Sequence, residues 1–330
     1  MGENREDPNY KKVYQDGYQK GIQDGYKKGY QDGYRDGYKK GIRDGIMITG
    51  GLVCCALFTS GLILKNYVGQ QFESFFYSNK TDLSTRQRFL NLEKDLNIST
   101  EFVNLNNGSA ISYLYKPKAD PVLPDENRVV IIVGGLPGID PHWTELIKNI
   151  NNRASILIVH PAGYEPSTGQ KNNRSVQSSI AEAIPKILNI KSLNKKHLVI
   201  IGESAGANAL NQLLKVYGFD LVYLIKPMIS PGLSLQFVTK DANSKLLSDI
   251  YNFAVVDNGP LLNDPTGLQS RHFIVSIGSK DALVNPDDQI AMVKRLQSQP
   301  EIKVKVIIDP KANHYDFDPQ QVTNFILNEK

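Results

Sequence analysis

Three residues of this chain have the types and the order that acyl transfer by a hydroxyl nucleophile requires. The first is Ser204, in the pentapeptide Gly202-Glu203-Ser204-Ala205-Gly206, which reads G-x-S-x-G. An apolar run of strand composition, His197-Leu198-Val199-Ile200-Ile201, precedes it, and residues 207–214, of helix composition, follow. Strand, tight glycine-flanked turn and helix form the setting of a nucleophile elbow, in which the serine needs neighbours without bulky side chains. A serine hydroxyl is a poor nucleophile at neutral pH. It needs a base within hydrogen-bond reach, and the base needs an acid to fix its tautomer and stabilise the imidazolium. Asp281, in the turn after the apolar run 272–277, is the candidate acid. Asp287 and Asp288 lie nearby, but their spacing suits the first turn of a helix. His314, in the turn after the run 303–308, is the candidate base. Alone, Asp281 reads as a turn-forming aspartate and His314 as a surface histidine. In the order Ser…Asp…His, each after an expected strand, the three support one another.

A tetrahedral intermediate also needs donors for its oxyanion. The Ala205 N–H, next to the nucleophile, is the first candidate. Gly134-Gly135-Leu136-Pro137-Gly138 follows the apolar run 128–133. It offers the Leu136 N–H as the second donor, with Gly135 the close alternative. His142, His160, His197 and His272 have no ligand-like spacing with acids or cysteines, so no metal is expected, and no cofactor.

Elements that could position these residues alternate from about residue 101 onward. Residues 101–106 and 109–116 read as a hairpin joined at Asn107-Gly108. Residues 128–133 read as a strand buried on both faces of a parallel sheet. Strands are expected again at 154–159, 197–201, 221–225, 272–277 and 303–308. Helices are expected at 142–151, 175–190 with Pro185 as a kink or break, 207–214, 287–299 and 319–329. Residues 232–271 fall out of this rhythm. The pattern is that of one α/β domain with a single irregular insert.

At this point residues 101–330 resemble the α/β-hydrolase superfamily of serine esterases and lipases. The elbow Gly-Glu-Ser-Ala-Gly, the acid turn Gly278-Ser279-Lys280-Asp281-Ala282-Leu283-Val284-Asn285-Pro286 and the base turn Asn313-His314 carry the resemblance. It implies Ser204 as nucleophile, Asp281 as acid and His314 as base, on an eight-strand, mostly parallel sheet. It also implies residues 232–271 as a cap over the site. Two departures stand out: Gly134-Gly135 replaces the frequent His-Gly pair of the oxyanion loop, and Asn313 replaces the usual glycine before the base.

The N-terminal hundred residues have a different character. From Gly17 to Gly45 a glycine recurs at every fourth position, each followed by Tyr or Ile. On a helix each step of four turns about 400°, so the stripe drifts by about 40° per repeat and suits wrapping round a partner. Glycine at that density costs roughly 1 kcal/mol per residue against alanine, so a disordered low-complexity tail is the alternative. The segment resembles the GX3 repeats of small eukaryotic adaptor proteins, which serve protein assembly. Residues 46–64 carry no charge and are about as long as a bilayer core requires, so they read as a transmembrane signal-anchor helix. Lys39, Lys40 and Arg43 precede them, which places residues 1–45 in the cytoplasm and residues 65–330 in a lumen or outside the cell. Residues 65–100 read as a stalk with an amphipathic helix at 81–96. Asn79, Asn97, Asn107 and Asn173 head glycosylation sequons on that side.

Composition sets outer bounds. The chain has 330 residues, a net charge of +4 and no long basic run, so nucleic acid is not an expected partner. Its two cysteines, Cys54 and Cys55, are adjacent within the apolar segment and staple nothing. Two function classes remain. One is a membrane-anchored serine hydrolase acting on a small acyl substrate. A lipid acyl chain under the cap is favoured there by the apolar residues of 232–271. The other is a hydrolase-fold interaction module, or pseudoenzyme, whose repeat tail binds a protein partner.

Overall fold

The computed structural model describes residues 82–119, 127–135, 141–170, 172–230, 233–234, 237, 265–314 and 316–328. The repeat tail, the apolar segment 46–64 and most of the cap lie outside the described residues. Among the described residues no helix is long and apolar enough to cross a membrane.

Eight strands form one sheet: β1 (Glu101–Asn104), β2 (Ala110–Lys116), β3 (Arg128–Val133), β4 (Ser155–Val159), β5 (His197–Glu203), β6 (Leu221–Ile225), β7 (His272–Gly278) and β8 (Lys303–Asp309). Their spatial order is β1-β2-β4-β3-β5-β6-β7-β8. The β1–β2 and β2–β4 pairs are antiparallel, and every pair from β4 to β8 is parallel. All six residues of β3 are buried, as a strand covered on both faces must be.

Alternate strand residues feed two cores, because side chains along a strand point to opposite faces. One face, carrying Val129, Ile131, Ile200 and Val275, packs against α3 (Asn173–Ile190), the short helices α4 (Ala205–Ala209) and α5 (Leu213–Val216), and α6 (Pro286–Gln297). The other, carrying Val130, Ile132, Ile201 and Ile274, packs against α1 (Asp82–Leu96), α2 (Pro141–Asn151) and α7 (Pro319–Asn328). Helix α1 lies within the stretch that reads as a stalk, yet its Leu92 and Leu96 are buried in this second core. The domain therefore reaches back at least to Leu92. The Lys116 ammonium group also donates to the Leu96 carbonyl.

Three local expectations differ from the structure. Of the kink or break expected at Pro185, the break does not occur, since Pro185 lies inside α3, which continues to Ile190. Ile184, Ile187 and Leu188 are fully buried around it, and that packing offsets the lost backbone bond. The helix expected at 207–214 starts earlier and divides into α4 and α5. At the division Leu210 and Asn211 donate to residues three back, Ala207 and Asn208. Asn208 and Asn211 are weak helix formers, and the Asn208 side chain bonds Gln177 and the Ile229 carbonyl instead. Finally, Asn173 is buried in α3 and accepts from Gln177, so the folded domain cannot present that sequon for glycosylation.

Candidate active site

The carboxyl ends of β3, β5, β6, β7 and β8 share one edge of the sheet, since Val133 pairs with Gly202, Glu203 with Ile225, Ile225 with Ser276, and Gly278 with Asp309. The turns leaving that edge carry Gly135, Ser204, Lys226, Asp281 and His314.

Ser204 sits between β5 and α4 with φ 48° and ψ −117°, a conformation non-glycine residues rarely adopt and one that costs roughly 1–3 kcal/mol. Three backbone bonds hold it there. Its N–H donates to the Ile225 carbonyl at 2.9 Å, and its own carbonyl accepts from Ala207 at 3.1 Å and Met228 at 3.0 Å. The flanking glycines are needed for close approach. A Cβ on Gly206 would lie 2.1 Å from the Val133 carbonyl oxygen, and one on Gly202 would lie 2.8 Å from the Ala207 Cα. Backbone atoms occupy both places, so nothing larger than glycine fits without moving a strand or α4.

The structure brings Ser204, His314 and Asp281 together. The Ser204 Oγ is 2.8 Å from His314 Nε2, and His314 Nδ1 is 2.8 Å from Asp281 Oδ2. All three are buried. The other Asp281 oxygen, Oδ1, accepts from the Leu283 and Val284 N–H groups, each at 2.9 Å. One carboxylate oxygen is thus spent on its own turn and the other faces the imidazole. The acid and base turns are joined directly: Ser279 N–H donates to the Asp309 carbonyl at 2.9 Å, and Lys280 N–H to the Ala312 carbonyl at 3.1 Å. Asp287 and Asp288 lie in the first turn of α6, after the cap residue Asn285.

Of the oxyanion candidates, Ala205 is the first residue of α4, and Gly135 lies against the nucleophile. A Cβ on Gly135 would sit 3.3 Å from the Ser204 Cβ. Leu136 lies outside the described residues. Gly134, Gly135, Ala205 and Ala209 line a narrow recess with His160 and Tyr164. Burial pulls the His160 pKa down to about 4, so its imidazole is neutral at physiological pH. On the other side Ala205, Met228 and Val284 pack as a small apolar wall. Among the described residues no three His, Cys, Asp or Glu side chains gather as metal ligands would.

Two charged residues at the site escape sequence reasoning. Glu203 reads as the free position of the pentapeptide, yet it is buried and accepts from the Trp143 indole N–H at 3.0 Å. Lys226 has no role in the sequence reading, yet it is 1% exposed, with φ 43°. The unbroken apolar strand Leu221–Ile225 before it was the only available hint, since the residue ending so buried a strand starts within the protein.

The fold is that of the α/β hydrolases. Esterase Pf2001 of Pyrococcus furiosus is similar with a TM-score of 0.53 at 16% identity, over 71% of this chain and 94% of that one. Est1E of Butyrivibrio proteoclasticus, solved with ferulic acid bound, is similar with a TM-score of 0.52 at 13% identity, over 68% of this chain and 96% of that one. XC6422 of Xanthomonas campestris, described as an α/β serine hydrolase without a lid, gives a TM-score of 0.51 at 10% identity, over 69% of this chain and 91% of that one. No protein-family model and no curated protein sequence matches the chain.

Proposed function

We propose that the chain is a serine hydrolase that cleaves a carboxylic ester through an acyl-enzyme. The observation that carries this reading is the continuous Ser204–His314–Asp281 hydrogen-bond chain at 2.8 Å per link. Ser204 Oγ attacks the ester carbonyl carbon while His314 Nε2 takes its proton, and Asp281 steadies the imidazolium. The oxyanion is held by the Ala205 N–H and by Leu136 or Gly135. Collapse of the intermediate breaks the bond to the alcohol oxygen, which leaves with the proton from His314. Water then repeats the sequence on the acyl-enzyme and restores Ser204. Pf2001, an esterase of like fold, favours an ester over an amide.

The acyl group is of moderate length in this reading, with the wall of Ala205, Met228 and Val284 and the apolar side chains of 232–271 as its surroundings. The enzyme is held at a membrane by residues 46–64, with the domain lumenal or extracellular and the repeat tail free to meet a protein partner in the cytoplasm. The test is covalent labelling of the full chain in detergent by a fluorophosphonate probe, followed by kcat/KM on p-nitrophenyl esters of two to sixteen carbons. Wild type should label and Ser204→Ala should not; equal labelling of the two would place the nucleophile elsewhere. A buried methylene contributes roughly 0.8 kcal/mol, so kcat/KM should rise about fourfold per carbon over part of the series. A flat profile would refute the acyl-length reading and leave the nucleophile assignment intact.

A further inference from the structure

Lys226 is a fully buried cation that the three-residue hydrolytic mechanism does not use. It leaves the end of β6 one residue beyond Ile225, whose carbonyl holds the Ser204 N–H, and its own N–H donates to the Ser276 carbonyl of β7 at 2.8 Å. Its side chain runs under the acid turn. A Cβ on Gly278 would lie 3.1 Å from the Lys226 Cε, so glycine there leaves the passage open. The ammonium group ends at the base turn, where it donates to the Asp316 carbonyl, two residues past His314. The Asp316 carboxylate in turn accepts from the Asn313 N–H at 3.3 Å. One side chain therefore reaches from the strand supporting the nucleophile, past the acid turn, to the base turn.

Its charge is placed as deliberately as its length. Burial acts most strongly on it and holds its pKa below the ordinary lysine value, while the carboxylates of Asp281, then Asp316, Glu203 and Asp309, work in the opposite direction and favour the charged form. His314 bonds Asp281 from the turn after β7 and Ser204 after β5, Asp316 lies two residues along its own turn, and Glu203 at the end of β5 acts on Lys226 at the end of β6. Removing Lys226 takes a positive charge away from Asp281 and Glu203 and so favours the imidazolium form of His314, where catalysis needs a free base.

We propose that Lys226 is a positioning residue of this site: its buried side chain ties the base turn to β6 and tunes the charge that Asp281 and Glu203 present to His314. The proposal rests on the hydrolase reading and goes beyond it. The test is the pH profile of kcat/KM on a p-nitrophenyl ester for wild type, Lys226→Met, Glu203→Gln and the double variant, after probe labelling has shown that the wild type is an active serine hydrolase. Lys226→Met should move the acid limb up by about one pH unit, and Glu203→Gln should move it down. The double variant should return it close to wild type. It also removes both buried charges together, so it should fold even where Lys226→Met alone does not. Acid limbs coinciding in all the variants that fold would overturn the proposal, even with a lowered kcat, because a merely structural lysine would change rate without moving the limb. A wild type that neither labels nor turns over ester would instead overturn the hydrolase reading itself.

Discussion

Replacing Asp281 by asparagine is the sharpest perturbation of this site, because the structure dictates how the new side chain must sit. Asp281 is buried, with Oδ1 fixed by two backbone donors, Leu283 and Val284, and Oδ2 facing His314 Nδ1. An asparagine keeps its oxygen where those N–H groups point, since turning it would leave both unpaired at about 1–3 kcal/mol each. Its NH2 group is then forced to the Oδ2 position. There it donates to Nδ1, which must carry a lone pair, so the imidazole proton moves to Nε2. That nitrogen is 2.8 Å from the Ser204 Oγ and can no longer accept the serine proton. The side-chain volume and the turn's own bonds survive, so the fold should survive as well. The expected loss is that of a base in the wrong tautomer: about 10³–10⁴ in kcat, or about 4–5.5 kcal/mol of barrier. Asp281→Ala would be a poorer probe, because it orphans the two N–H groups and confounds chemistry with stability. The assay is steady-state turnover of a p-nitrophenyl ester, normalised to folded protein by the thermal unfolding transition. If Asp281→Asn kept more than about a tenth of wild-type kcat while Asp309→Asn or Asp316→Asn lost it, the acid would lie elsewhere and the tautomer reasoning would be wrong.

Two further outcomes are expected. His160 has a folded pKa of about 4 against 6.5 for the free side chain, so between those values the unfolded chain holds a proton that the folded chain refuses, and stability falls as pH drops through that window. From pH 7 to pH 5, denaturant titrations should show wild type losing about 2 kcal/mol more than His160→Asn; equal losses would mean that His160 stays neutral or charged in both states. For the proposed anchor, protease added to sealed vesicles from the cytoplasmic side should remove residues 1–45 and spare the domain, and release of the whole chain by alkaline carbonate would refute anchoring.

Much of the sheet was legible in the sequence because its strands are nearly all apolar and regularly spaced. Residues 128–133 and 221–225 required no knowledge of their partners to be read as strands, and 303–308, at the sheet edge, alternates lysine with valine before its two isoleucines. The nucleophile, acid and base were legible for a related reason: each follows such a strand in a short turn, so strand order fixed their neighbourhood. What was hidden has a common physical cause. Lys226 and Glu203 owe their roles to burial beside residues far away in the chain, and local composition carries no trace of that. Helix α3 runs through Pro185 because of the core around it, and Asn173 is withdrawn from solvent by the same packing. The short helices after Ser204 were misplaced because the Asn208 side chain there bonds across the fold to Gln177 and the Ile229 carbonyl.

The precision of the site comes from the sheet more than from its loops. Ser204 is tied by its own N–H to the last carbonyl of β6, and the acid and base turns leave β7 and β8 at the paired residues Gly278 and Asp309. Between that pair and the two catalytic side chains the Ser279 and Lys280 N–H groups bond straight across, so neither turn has room to wander independently. Strand register is the most strongly specified feature of such a fold, because a slip of one residue would turn every buried side chain outward. Distances of 2.8 Å along the serine–histidine–aspartate chain are therefore inherited from a register that the two cores enforce from both faces. Lys226 extends the same logic to charge. By reaching from β6 beneath the acid turn to the base turn, it sets a lysine beside Asp281 and Asp316 by strand geometry rather than by a mobile loop, so the proposed tuning of His314 would be a property of the sheet edge.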